Sequence, residues 1–249
     1  MKRSTDYKPA GNFALLLLGP PKHGKTNLAL AFPKPAVLDC DGNLSRVVGQ
    51  GVEFLFENPN TDSSGKHQSG DKSWATSCNF LREAIALPDE ECQTIIIDGF
   101  SIMCNYLVDA LVVNSKLTVG GEKVMDQSLW QPFRNKLQQF VMQGRSSNKR
   151  FVVTCHETII QDEKTGAIIA YRPLISGQLK DNLAGLFTDC WRVEAKDIAG
   201  KPKYSIRFAP KNFMQIGNSI GIDVPELDVT GKGPKELWST LSTYMSPVK

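Results

Sequence analysis

The chain has 249 residues, of which 41% are hydrophobic and 22% are charged, and its formal net charge at pH 7 is +3. This composition excludes an intrinsically disordered chain, which combines low hydrophobicity with high net charge. The length allows one large α/β domain or two small ones, and the small positive charge does not by itself indicate a nucleic-acid partner.

The cysteines and the apolar runs exclude several classes of protein. Six cysteines lie far apart and include no Cys-x-x-Cys pair, which argues against a disulfide scaffold and a zinc ribbon and fits reduced thiols in a cytosol. The apolar run at 13–18 is too short for the core of a signal peptide, and no run reaches the roughly 18–20 apolar residues of a membrane helix. We therefore expect a soluble, cytoplasmic protein without a membrane partner.

Short apolar runs, often β-branched, alternate along the chain with stretches of helical spacing. The predicted strands are 14–18, 36–38, 52–56, 94–97, 151–154, 190–194 and 204–208. The predicted helices are 26–31, 74–87, 102–113, 127–142, 179–186 and 233–244. Residues 58–73 are almost free of apolar side chains, which is typical of a flexible loop.

This alternation predicts the fold class. Continuously apolar strands between helices favour an α/β fold with a mostly parallel central sheet and helices on both faces. The last two strands are close together in sequence, which predicts an antiparallel C-terminal edge. We predict a single domain over 1–249, with an N-terminal extension at 1–12 and a C-terminal tail and helix at 214–249.

The strongest motif is a phosphate-binding loop that follows the first strand. It matches G-x-x-x-x-G-K-[ST] and consists of Gly19, Pro20, Pro21, Lys22, His23, Gly24, Lys25 and Thr26. Gly24 lets consecutive backbone N–H groups point at phosphate oxygens, while Lys25 reaches the β- and γ-phosphates and Thr26 ligates Mg²⁺. We expect ATP and Mg²⁺ as cofactors. His23 is either a specificity element or, as we expect, a solvent-facing residue that contributes to the loop through its backbone.

Acidic residues follow two other predicted strands. Asp98 ends the run at 94–97 and is the best candidate for the second Mg²⁺ ligand, because a carboxylate beside a buried sheet is costly without a cation. Asp39 and Asp41 follow the strand after the loop helix, where one of them could polarise the attacking water. The alternative is a local turn, since Asp41, Gly42 and Asn43 are typical turn residues.

His156 and Glu157 follow the strand at 151–154. Open α/β sheets bind ligands at the carboxyl ends of their strands. His156 is therefore expected to face the γ-phosphate and to respond to hydrolysis. Glu157 is a second candidate for the catalytic base.

Taken together, these residues resemble the RecA-like P-loop ATPases, and within them the short phage ATP-binding proteins and single-strand annealing recombinases related to the RecA/RadA core. The resemblance spans roughly 13–213 and rests on 19–26, 37–41, 95–98 and 152–157. It implies that Asp41 activates water and that His156 senses the γ-phosphate. The cytoplasm would be that of a bacterial host if a phage encodes the chain.

The resemblance also implies partners. Residues 159–178 would be a loop that faces DNA, with Lys164, Arg172 and Lys180 as candidate DNA-binding residues. Arg207 and Lys211 would be candidates for a pair that reaches into the ATP site of a neighbouring subunit. Their spacing departs from the Lys-x-Arg pair of ring helicases.

The leading functional expectation is an ATPase that assembles as a ring or filament on single-stranded DNA and promotes annealing or strand exchange, with a single-strand binding protein as a further partner. The alternatives are a helicase or helicase-loading motor, and a nucleotide-dependent protein-binding switch without DNA activity. A nucleotide kinase ranks below these, because 159–178 contains one arginine and a kinase lid needs several.

Overall fold

The computed structural model describes residues 13–48, 51–210 and 215–245. Within these ranges the strands are β1 (Ala14–Gly19), β2 (Pro35–Asp39), β3 (Leu55–Glu57), β4 (Thr94–Asp98), β5 (Thr118–Val119), β6 (Glu122–Lys123), β7 (Arg150–Gln161), β8 (Ile168–Pro173), β9 (Asp189–Ile198), β10 (Lys201–Arg207) and β11 (Glu226–Asp228). The helices are α1 (Lys25–Ala29), α2 (Gly70–Ala86), α3 (Phe100–Val112), α4 (Trp130–Arg145) and α5 (Pro234–Tyr244).

A single large sheet organises the fold. Its strand order is β11-β10-β9-β1-β7-β4-β2-β3, and every neighbouring pair from β9 to β3 is parallel. β10 and β11 continue the sheet in antiparallel fashion beyond β9. The predicted α/β fold with an antiparallel C-terminal edge is therefore confirmed.

The two faces of the sheet carry separate hydrophobic cores, because successive side chains of a strand point to opposite faces. Leu16 and Leu18 of β1 pack with α2, α3 and α4 on one face. Leu15 and Leu17 pack with α1 and α5 on the other. Helices on both faces are thus confirmed, and burial on both faces explains why these strands are continuously apolar.

The segment 159–178, which the resemblance implied to be a loop that faces DNA, contains a β-hairpin. β7 extends seven residues beyond its predicted end at 154 and pairs antiparallel with β8. Backbone hydrogen bonds to β8 sustain the longer strand, although the end of β7 is partly exposed. The turn at the tip is organised by Asp162, whose carboxylate accepts hydrogen bonds from the backbone N–H groups of Lys164 and Thr165.

The predicted flexible loop at 58–73 is shorter in the structure, because α2 begins at Gly70. The segment before it is held near the end of β2. Asn60 donates a hydrogen bond through Nδ2 to the carbonyl oxygen of Cys40, over 2.9 Å, and its Oδ1 accepts one from the hydroxyl of Tyr106. These contacts keep 58–60 close to the carboxyl edge of the sheet.

One predicted helix was wrong. Residues 179–186 form two 3-10 turns, Gln178–Asp181 and Leu183–Leu186. Asn182 separates them because its backbone, with φ of −125° and ψ of 4°, is not helical. None of the helices in the described ranges is both long and apolar enough to cross a membrane.

Candidate active site

The strand register brings the predicted site residues to one edge of the sheet. Gly19 at the end of β1 pairs with His156 of β7, and Asp39 at the end of β2 pairs with Asp98 of β4. Because these strands are parallel, their carboxyl ends lie side by side. The phosphate-binding loop leaves β1 in the middle of this row.

The loop curls around the side chain of Lys25. Gly24 has a φ of 92°, a conformation that favours glycine, and α1 starts immediately after it. Lys25 is buried, and its Nζ donates hydrogen bonds to the carbonyl oxygens of Gly19, over 2.9 Å, and Pro20, over 2.8 Å. Burial lowers the pKa of Lys25. A triphosphate in the loop would offer this ammonium group acceptors of higher charge than the two carbonyls.

Thr26 and Asp98 form a pair of oxygen donors. The Thr26 hydroxyl donates to Oδ2 of Asp98 over 2.9 Å, and the Thr154 hydroxyl donates to Oδ1 over 2.6 Å. Burial raises the pKa of Asp98 to about 6. A hydroxyl and a carboxylate at this spacing fit Mg²⁺, which is bound by one or two protein groups together with waters and phosphate oxygens. A cation would also offset the burial of the carboxylate.

Asp41 and His156 lie on the far side of Lys25. The His156 ring stands between Lys25 and Asp41. Its Nδ1 lies 3.2 Å from Nζ of Lys25, and its Nε2 lies 3.6 Å from Oδ2 of Asp41. The lysine can only donate, so Nδ1 accepts and the ring hydrogen is assigned to Nε2. The other oxygen of Asp41, Oδ1, is buried without a hydrogen-bond partner among the described residues.

Gly99 makes room for Asp41. A Cβ on Gly99 would lie 2.1 Å from Oδ1 of Asp41, and Gly99 has a φ of 90°. Any side chain there would displace the carboxylate. Gly99 also donates its backbone N–H to the hydroxyl of Thr154, which orients that hydroxyl towards Asp98.

Asp39 has a structural role. Its two carboxylate oxygens accept hydrogen bonds from the backbone N–H groups of Asn43 and Leu44, each over 3.2 Å. This is the local turn that we considered as the alternative for the pair Asp39 and Asp41. Of these two acids, Asp41 lines the cleft and Asp39 does not.

The position of Glu157 contradicts the prediction that it could serve as the catalytic base. Its carboxylate is buried and accepts hydrogen bonds from Arg192. Nε of Arg192 lies 2.9 Å from each carboxylate oxygen, and Nη2 lies 2.5 Å from Oε1. Arg192 also pairs with Glu194 and lies under the ring of Tyr171, 4.5 Å from its centre. We call the group Glu157, Arg192, Glu194, Arg207 and Glu226 the ion cluster.

His23 is not solvent-facing, contrary to our expectation. It is partly buried, and its Nδ1 accepts a hydrogen bond of 3.0 Å from the backbone N–H of Ala195 in β9. Burial is the main cause of the lowered pKa of His23, and the charges of Lys25 and Arg192 add to it. The neutral ring therefore ties the phosphate-binding loop to β9.

Comparison with known proteins places the chain in a family. A family model described as an AAA domain matches residues 12–219. The chain belongs to this AAA domain family. The match confirms the predicted resemblance to RecA-like P-loop ATPases and covers every strand from β1 to β10.

Solved structures are similar to this AAA domain at low sequence identity. A crystal structure of the RadB recombinase has a TM-score of 0.44 and 14% identity, with 80% of this chain and 84% of that chain covered. The flagellar accessory protein FlaH from Methanocaldococcus jannaschii has a TM-score of 0.40 and 12% identity, with 80% and 79% covered. No curated protein matches the chain.

The predicted trans-acting role of Arg207 is contradicted by its position in this AAA domain. Arg207 is buried in β10, where Nη2 pairs with Glu226 and Nε lies 3.6 Å from Oε1 of Glu194. A residue held in the ion cluster cannot extend into a neighbouring subunit. Lys211, the second residue of that predicted pair, lies outside the described residues.

The three candidate DNA-binding residues of the AAA domain lie on the β7–β8 hairpin or in the turn that follows it. Lys164 is exposed at the tip of the β7–β8 hairpin. Arg172, near the base of the hairpin, forms an ion pair with Asp181 at 3.2 Å. Lys180 is half-buried in the 3-10 turn that follows. Of these, Lys164 is the most exposed.

Several residues that line the site were not predicted from the sequence. Thr154 orients Asp98, and it could have been found as a hydroxyl at the end of a buried strand. The cleft of about 570 Å³ that holds Lys25 and Asp98 also continues to residues of β10 and the C-terminal segment. Their sequence carries no motif that signals this, because they reach the cleft only through the folding of the chain.

Proposed function

We propose that this AAA domain binds and hydrolyses ATP with Mg²⁺ and uses the cycle in recombination-type reactions on single-stranded DNA. One observation carries the hydrolytic part: the loop lysine, the Thr26–Asp98 donor pair and the Asp41–His156 pair converge on one cleft. A structural glycine turn would not need a buried lysine, a buried acid and a second acid in such proximity.

The residues suggest how hydrolysis would proceed. Lys25 would exchange its loop carbonyls for the β- and γ-phosphate oxygens and neutralise the charge that develops there. Asp41, which lines the cleft, would accept a proton from the attacking water. Mg²⁺, held by Thr26 and Asp98, would supply charge neutralisation at the phosphates.

His156 would couple the two ends of this arrangement. It contacts the lysine through one ring nitrogen and faces Asp41 with the other. When Lys25 moves towards phosphate, Nδ1 of His156 would lose the hydrogen bond that Lys25 donates to it, so the orientation of the ring would depend on the nucleotide. It begins the part of β7 that leads into the hairpin, which gives a short route from the phosphates to the exposed tip.

The DNA part of the proposal rests on the resemblance to RecA-like ATPases. It includes self-association into a ring or filament, single-stranded DNA at the hairpin with Lys164 in contact, and a single-strand binding protein as a further partner. A helicase motor is less well supported, because Arg207 is buried and cannot serve as a trans-acting residue.

A second candidate function has an observation in its favour. The β7–β8 hairpin exposes three isoleucines, Ile159, Ile168 and Ile169, and next to Lys164 it carries the acids Asp162 and Glu163. This surface suits a protein partner better than a phosphate backbone. A nucleotide-dependent protein-binding switch therefore remains the alternative.

Hydrolysis measured with and without single-stranded DNA at low salt separates these functions. We expect Lys25→Ala to reduce the ATPase rate at least about 100-fold. Lys116→Ala changes an exposed lysine that does not line the cleft, and it should leave the rate unchanged. Stimulation by DNA, reduced in Lys164→Glu, together with a mass well above that of one chain, would support the recombination proposal. ATP binding with negligible, DNA-independent hydrolysis would favour the switch, and absence of ATP binding would contradict both.

A further inference from the structure

The cleft extends well beyond the groups that the proposed hydrolysis uses. Its other end is lined by residues of β9, β10 and the segment that follows β11, namely Val193, Tyr204, Ile206, Val229, Gly231, Lys232 and Leu237. Val229, Lys232 and Leu237 lie beyond residue 219, where the match to the AAA domain family ends. This end of the cleft therefore depends on a part of the chain that the family match does not include.

The strand order fixes which part of a nucleotide would reach this end. β1, which carries the phosphate-binding loop, lies between β7 and β9. Asp98, Asp41 and His156 all come from the side of β7, β4 and β2. The terminal phosphate must face these groups, so the rest of the nucleotide leaves the loop on the opposite side, towards β9 and β10.

The chemistry of that opposite side suits a flat, largely apolar ligand. Ile206, Val229 and Leu237 are buried, with 0%, 8% and 4% of their surface exposed. Tyr204 is partly buried, and a Cβ on Gly24 would lie 3.7 Å from its Cδ1. The ring thus stands beside Gly24, the residue of the phosphate-binding loop that precedes Lys25 and α1.

Backbone hydrogen bonds hold this end in shape. The N–H of Tyr204 donates to the Thr230 hydroxyl over 2.9 Å, and the N–H of Val229 donates to the carbonyl oxygen of Tyr204 over 2.9 Å. The turn after β11 is therefore fixed to β10. A pocket wall that is anchored in this way can select a ligand by shape.

We propose that Tyr204, Ile206, Val229 and Leu237 form a base subsite that holds the purine ring of the bound nucleoside triphosphate, with Tyr204 as its aromatic surface. The inference rests on the proposed function, since it assigns the second half of the same ligand. It makes the C-terminal segment part of the nucleotide site, and it makes the protein selective for nucleotides over inorganic polyphosphate.

Calorimetric titration of the full chain with ATP and, separately, with tripolyphosphate, both with Mg²⁺, tests the base subsite. We expect the wild-type protein to bind ATP at least about tenfold more tightly than tripolyphosphate, because aromatic stacking on a base contributes that much or more. Tyr204→Ala should weaken ATP binding about tenfold or more and leave tripolyphosphate binding unchanged. Tyr204→Phe keeps the ring and should restore most of the ATP affinity.

Tyr244→Ala is the matched control. Tyr244 is also partly buried and packs against the same hydrophobic core, but it does not line the cleft, so both affinities should stay at their wild-type values. Equal affinity of the wild-type protein for ATP and tripolyphosphate would overturn the base subsite and leave the phosphate site standing. A Tyr204→Ala variant that loses both ligands equally, or neither, would overturn it as well. If the wild-type protein binds neither ligand, the proposed function itself fails.

Discussion

Two groups of charged residues lie at the same edge of the sheet: one lines the cleft, and the other is paired within the protein. In the cleft, Lys25, Asp41 and Asp98 line the cavity, and one oxygen of Asp41 has no hydrogen-bond partner among the described residues. In the ion cluster, Glu157 and Arg192 satisfy each other in a buried pair. His156 and Glu157 are consecutive residues of β7, and each belongs to a different group, because neighbouring side chains of a strand point in opposite directions.

This comparison shows what distinguishes a reactive acid from a structural one. Both Asp41 and Glu157 come after apolar strands, which is the feature that made both of them candidate bases. The difference is the partner: Arg192 binds Glu157 in a buried pair, whereas Asp41 lines the cleft and faces the His156 ring. We expect a change in a buried ion pair to affect mainly stability. We expect a change in a charged group that lines the cleft to affect mainly reactivity.

The largest expected effect is on hydrolysis by Asp41→Asn. The amide cannot accept the proton of the attacking water, so the ATPase rate should fall about 100- to 10,000-fold, while ATP affinity stays close to the wild-type value. Asp39→Asn is the matched control, because Asp39 holds a turn two residues away and should cost stability rather than rate. The comparison fails if Asp39→Asn abolishes hydrolysis and Asp41→Asn does not.

The next largest effect is on stability, by a change in the ion cluster. Arg192→Met leaves Glu157 buried without its partner and should lower the free energy of unfolding in urea by about 3–5 kcal/mol. The double variant Arg192→Met/Glu157→Met should recover part of this loss, because the unpaired carboxylate is gone. If Glu157→Gln instead stops hydrolysis and leaves stability unchanged, Glu157 belongs with the cleft.

The smallest effect concerns His23, which joins the two regions. His23→Ala removes the acceptor for the N–H of Ala195 and should cost about 1 kcal/mol of stability at pH 8. Because the pKa of His23 is lowered in the folded protein, the unfolded chain takes up the proton first. The stabilisation by His23 is therefore complete above about pH 6.5 and declines as the pH falls through that value.

Urea titrations at pH 8 and pH 5 measure this dependence. The stability difference between wild type and His23→Ala should shrink at the lower pH. His67→Ala changes an exposed histidine and should show no such dependence. A difference for His23→Ala that stays constant over this range would mean that the ring is not held neutral by the bond to β9.

Much of the nucleotide site could be predicted from the sequence because its parts are local. The loop at 19–26 needs a specific order of residues to curl around phosphate, and the apolar runs that become β1, β4 and β7 are visible as such. Asp98 was identifiable because an acid at the end of a buried strand needs a partner. The strand ends and the helix at 179–186 were less predictable, since hydrogen bonds between strands and the backbone of Asn182 decide them.

The sequence by itself determined the phosphate-binding loop, the α/β alternation and the set of acids that could serve catalysis. The tertiary structure decided which of those acids is held in an ion pair, since the arginine that binds Glu157 lies 35 residues further along the chain. It also brought Tyr204 and Val229 to the far end of the cleft. The physical reason is that burial and pairing depend on contacts between distant segments, whereas a loop motif depends on neighbours in sequence.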